Sequence, residues 1–145
     1  MSGLFGTRAI LQTDINLILQ IAAISLLLIG YLYKRKYKFK LHGASMGIAT
    51  TLHIISFITI MGPVFVSTYS YITTNIYTPL VLSIVVHAIA GAIVLPLAGG
   101  LLVFWVPRPS RVEKCFKRRK IMILTIILWV VSITFGILAY ILAYL

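Results

Sequence analysis

Twelve of the thirteen basic residues fall in two short runs, each wedged between long apolar segments. The first run is Lys34, Arg35, Lys36, Lys38 and Lys40, and the second is Arg108, Arg111, Lys114, Lys117, Arg118, Arg119 and Lys120. Arg8 stands alone near the N-terminus, and Asp14 and Glu113 are the sole acidic residues. Around these runs lie four stretches that each reach the roughly 20 apolar residues a bilayer crossing needs. Basic loops stay on the cytoplasmic side. The pattern therefore predicts an all-α membrane protein: a four-transmembrane-helix bundle with both termini outside and two basic cytoplasmic loops.

A hydrophobic share of 61% leaves no room for a separate soluble domain within 145 residues, so residues 1–145 read as a single transmembrane domain. A net charge of +11 in a soluble protein suggests nucleic acid. Here the cations are split between two loops at one membrane face, and anionic headgroups account for them. The expected partner is thus the lipid bilayer, with no nucleic acid. Cys115 is the single cysteine, so no intrachain disulfide and no paired-cysteine metal motif can form. The first apolar run lacks a preceding basic region and a small-residue cleavage site, and it reads as a retained span.

The expected helices cover approximately residues 14–33, 41–65, 79–106 and 121–145, with Thr13 or Asp14 as the cap of the first. Pro63 lies near the outer end of helix two, Pro79 opens helix three, and Pro96 inside it predicts a kink. Tyr69, Tyr71, Asn75 and Tyr77 belong to an uncharged outer loop. Gly43, Gly47 and Thr51 on helix two and Ala88, Ala92 and Pro96 on helix three repeat at four-residue spacing. Such stripes are ordinary surfaces for close helix packing in lipid, where no hydrophobic drive operates between helices. Asn16 and Gln20 share one face of helix one.

The histidines carry the chemistry. Ionisable side chains deep in a span are rare, face the bundle interior, and mark function by default. His53 sits about 18 Å from the inner end of helix two and His87 about 12 Å from the outer end of helix three. In a core about 30 Å thick these depths nearly coincide. Two facing imidazoles can ligate haem iron or another transition metal, and small neighbours (Ala49, Thr50, Ser56, Ser83, Ala90, Gly91) leave space between the helices. The competing reading is that each imidazole is hydrogen-bonded within a tight helix pair. His42 lies 11 residues before His53, within about 20° of the same face. It is a candidate to bind a second ion or a haem propionate, or else an interfacial, solvated histidine. His53 and His87 are thus the candidate cofactor residues, and His42, His53 and His87 the candidate metal set. No carboxylate pair, activated nucleophile or phosphate-binding glycine loop is present, so no catalytic activity of its own is expected.

From Thr13 onward the chain resembles a small family of four-helix bacterial and archaeal membrane proteins linked to cytochrome oxidase assembly, of the aa3-type oxidase maturation-factor kind. The matching pieces are TDINLILQ, the KFKLHGA junction with His42, YTPLVLSIVVHAIAGAIVLPL with His87, and LWVVSITFGILAYIL. The family also tends to carry histidines where this chain has Pro63 and Val64, and before helix four, where it has a Lys/Arg cluster. The resemblance implies a multi-pass protein of a prokaryotic plasma membrane. It further implies a supporting role in the biogenesis or function of a respiratory terminal oxidase, with copper or haem (haem b) as the group handled and oxidase subunits as partners. Two further classes stand beside it: a b-type haem electron-transfer or quinol-reactive protein, and a cofactor-free structural subunit.

Overall fold

The computed structural model describes residues 4, 6, 9–107 and 117–145. Arg8, Glu113, Cys115 and the first part of the second basic run lie outside them. Four helices are long and apolar enough to cross a membrane: Leu11–Arg35, Phe39–Ser67, Pro79–Trp105 and Arg119–Tyr144. The chain is therefore a multi-pass, all-helical protein as far as its described residues go.

Helix α1 (Leu11–Arg35) starts three residues earlier than the sequence suggests. Ile10, not Thr13 or Asp14, holds the cap position, and it makes no side-chain cap bond. Asp14 instead lies inside the first turn, fully buried against the bundle. Its negative charge still sits at the end of the helix dipole that favours it. Tyr37 then reverses the chain in a left-handed conformation (φ 58°), and Lys38 N–H reaches back to Tyr33 O. This six-to-one bond and left-handed residue form a Schellman-type stop, with tyrosine where glycine is usual. The first basic run is thus a helix end, a tight turn and the next helix start.

Helix α2 (Phe39–Ser56) passes without a break into a π-helical segment, Phe57–Met61, and then α3 (Gly62–Ser67). The cause is Pro63. A proline ring clashes with the carbonyl four residues back and offers no N–H to it. Widening the preceding turn relieves the clash, and Gly62 N–H bonds Phe57 O, five residues back. A Cβ on Gly62 would stand 3.1 Å from that same oxygen, so glycine suits the wide turn. The outer loop contains a short helix not apparent from its polar sequence, α4 (Tyr69–Thr74), which buries Ile72. Helix α5 (Pro79–Trp105) opens on Thr78, whose Oγ1 accepts from Val81 N–H at 3.3 Å, and runs on through Pro96. Helix α6 is Arg119–Tyr144.

The helices pair as two hairpins, α1 with α2 and α5 with α6, and α2–α5 and α1–α6 contacts close the bundle. A core of Ala23, Leu27, Ala49, Val94, Ala98, Trp129 and Ile133 draws on all four spans. The glycine stripe of α2 does what its spacing suggests. A Cβ on Gly43 would overlap the Trp105 indole, and one on Gly47 would fall 3.1 Å from Leu102, so both glycines admit side chains of α5. Thr51, the third member of the stripe, is exposed and bonds its own helix at Gly47 O.

Candidate functional site

His53 and His87 meet around one turn of α5 and one turn of α6. His53 is almost fully buried, and its Nε2 lies 3.4 Å from Gly91 O. Gly91 is one turn beyond His87 on α5, so the two rings occupy neighbouring levels of the bundle. His87 Nδ1 lies 2.7 Å from Ser132 O on α6. Ser132 answers with its hydroxyl, which donates to His87 O at 3.0 Å. A carbonyl can only accept, so the hydrogen sits on Nε2 of His53 and on Nδ1 of His87. In the neutral rings, Nδ1 of His53 and Nε2 of His87 keep their lone pairs. Nδ1 of His53 is buried with no hydrogen-bond partner among the described residues.

The space between the helices is filled by the imidazoles themselves. A Cβ on Gly136 would lie 2.7 Å from His87 Nδ1, and one on Gly91 3.1 Å from Ser132 Oγ and 3.7 Å from His53 Cε1. The Trp129 indole closes the remaining side, its centroid 5.2 Å from that of His53 with the planes 50° apart. The small residues that in sequence suggest a slot for a macrocycle are consumed in seating the rings. The packed cluster does not fit a haem.

His42 belongs elsewhere. It lies 11 residues, about 16 Å along the axis, from His53. Its Nδ1 bonds Gly30 O of α1 at 2.8 Å, bracing the first hairpin. Among the described residues no group of three His, Cys, Asp or Glu side chains is placed to hold a metal ion. The candidate set His42, His53 and His87 is therefore not one site, and a shared ion has at most the His53–His87 pair.

A second polar cluster is the part that sequence reasoning missed. Tyr140 of α6 donates its hydroxyl to Asp14 Oδ1 of α1 at 2.6 Å. Asp14 Oδ2 has no hydrogen-bond partner among the described residues. Nearby on α1, Asn16 Oδ1 accepts from Ser56 Oγ, and Gln20 Nε2 meets the Met61 sulfur of the π segment at 3.8 Å. The signal was available, since an acidic residue beside an apolar span is expensive unless it is partnered inside. Tyr140 gave no such signal, because tyrosines are common at span ends.

Comparison with known proteins identifies no relative: no family model, curated protein or solved structure matches the chain.

Proposed function

We propose that this chain is an accessory or assembly protein of a respiratory terminal oxidase in a prokaryotic plasma membrane, without catalysis of its own. The observation that carries the non-catalytic part is the way its interior polar groups are spent. Each histidine, together with Ser45, Ser56, Ser132, Asp14 and Tyr140, bonds another helix of the bundle. Meanwhile each of the four spans leaves large apolar side chains on its outside, among them Ile18, Ile48, Ile89 and Ile127. A rigid bundle with apolar flanks suits contact with other membrane helices better than passage or turnover of a substrate. The oxidase itself comes from the sequence resemblance.

A second reading rests on the unpartnered lone pair of His53. Metal-ligating histidines donate their other ring N–H to a backbone carbonyl or carboxylate, as both rings do here. Imidazoles suit copper, and two donors would hold a single exchangeable ion in transit to an oxidase. Affinity purification of the tagged chain from its own membranes, with metal analysis of the eluate, tests both. Oxidase subunits in the eluate are expected under the first reading, and near-stoichiometric copper under the second. Neither subunits nor metal would sink both.

In the proposed orientation both termini face outward and both basic runs inward, because translocating five to seven cations costs more than leaving them by anionic headgroups. The single cysteine reports on this. A membrane-impermeant maleimide should label Cys115 in inside-out vesicles and leave it unlabelled in intact cells. Labelling in intact cells would reverse the topology.

A further inference from the structure

Towards the basic ends of the helices, between α2, α5 and α6, lies a partly open cavity of about 120 Å³. Its walls are mostly apolar, with Met46, Leu102 and Ile126 beside the rings of Phe104, Trp105 and Trp129. On α2 they run from His42 to Thr50, about 12 Å along the axis. It is a different place from the His53–His87 cluster, and Trp129 lines the one while packing on the ring of the other.

Size and shape limit the occupant first. An apolar cavity of about 150 Å³ takes one benzene ring. This one is smaller, so it admits no six-membered ring; by the same measure it holds about four or five carbons of a linear chain. The threonines in its wall put no hydrogen into it. Thr50 Oγ1 gives its own to Met46 O, and Thr125 Oγ1 gives its own to Ile121 O. A narrow apolar chain therefore leaves neither hydroxyl hydrogen without an acceptor.

The rim adds a charge. Arg118, half-buried there, stacks its guanidinium 3.4 Å from the centre of the Phe104 ring. Stacking covers a face of the group, whereas its N–H donors lie in the plane and stay available for a bidentate hold on a phosphate. Asp14, the one acidic residue among those described, lies at the opposite end of the bundle and cannot take that place. Lys117, Arg119 and Lys120 stand beside Arg118, so four cations gather at the start of α6, with no acidic residue in its first turn. That is the positive end of the helix dipole, where cations are disfavoured and an anion is favoured.

A molecule that joins a linear apolar chain to an anionic phosphate answers cavity and rim together, and the surrounding bilayer supplies it. We infer that cavity and rim form a discrete site for one anionic glycerophospholipid, with its phosphate on Arg118 and the upper carbons of one acyl chain between α2, α5 and α6. The inference depends neither on the oxidase reading nor on which side of the membrane the basic ends face.

The chain supplies its own reporter, because its two tryptophans, Trp105 and Trp129, both line the cavity. The full chain is placed in phosphatidylcholine nanodiscs, and a rising share of the lipid is replaced by phosphatidylglycerol brominated in the upper part of one acyl chain. Bromine quenches tryptophan emission on contact, and phosphatidylcholine brominated at the same position is the control. Saturable quenching is expected with phosphatidylglycerol, half complete at a mole fraction several-fold lower than with phosphatidylcholine. Arg118→Gln should raise that fraction about tenfold, the scale of one hydrogen bond to a charged group. Ile126→Phe fills the cavity from α6 and should abolish the saturable phase, with an unchanged helical circular dichroism spectrum showing that the bundle persists. Equal quenching by the two lipids in the wild-type chain would mean unselective lipid contact and overturn the inference. A preference for phosphatidylglycerol that survives both substitutions would place the lipid elsewhere on the basic ends and overturn it too. So would loss of the saturable phase on adding oleate at equal mole fraction, which would make this a fatty-acid site.

Discussion

Tyr140→Phe should lower the stability of the bundle by about 2 kcal/mol, the scale of one hydrogen bond to a charged group. The substitution removes the hydroxyl that reaches Asp14 Oδ1 and changes almost no volume. It leaves a carboxylate with no accessible surface in the bundle and no other hydrogen-bond partner among the described residues. The contact also joins α1 to α6, the first and last spans, so its loss weakens the closure of the ring of helices. Adding Asp14→Asn in the Tyr140→Phe background should recover part of the loss, because an amide is cheaper than a carboxylate to leave in an apolar interior. Thermal unfolding in detergent, followed by circular dichroism, measures both steps. A Tyr140→Phe variant as stable as wild type would show that the 2.6 Å contact contributes nothing.

The second large effect is expected at His87, and its sign depends on the partner residue. His87→Ala removes the bond to Ser132 O and the ring that fills the notch over Gly136, and should cost about 2 kcal/mol through lost packing and one interhelical bond. Gly136→Ala should destabilise the wild-type chain, since its methyl would lie 2.7 Å from a ring held in place on both sides. In the His87→Ala background the same methyl enters the emptied notch and should restore stability. Such a reversal is a coupling energy of the kind that a double-mutant cycle isolates. Additive losses would mean that the ring does not occupy the notch.

Much of the architecture follows from the sequence because the bilayer leaves few choices. Without water in the hydrocarbon core, backbone groups must bond within each span, so length and hydropathy fix helices where they occur. The start of α5 at Pro79 follows from local chemistry, since proline suits a first helical turn, whereas α1 runs two residues past Tyr33 to Arg35. One departure came from tertiary context and another from local backbone geometry. Asp14 looks like a helix cap until Tyr140, 126 residues away, supplies a buried partner. Pro63 falls inside the expected span 41–65, but the π-helical turn before it, closed by Gly62 N–H on Phe57 O, is not apparent from the sequence. The site was partly legible. Rarity of ionisable groups within spans and matching depth pointed to His53 and His87, but spacing along one helix cannot show what stands opposite. The small residues that suggested an open slot are matched by Ser132 and by the rings themselves, on helices distant in sequence. His42 shares a face with His53, but it lies too far along the axis to share a ligand.

The proposed role requires that a terminal oxidase depend on this chain. Deleting it from the cells that make it, and then measuring terminal-oxidase turnover and the oxidase haem spectrum of isolated membranes, addresses that need directly. The expected result is a severalfold loss of oxidase activity, restored by the wild-type chain supplied in trans. Membranes with unchanged oxidase turnover and an unchanged haem spectrum would contradict the account.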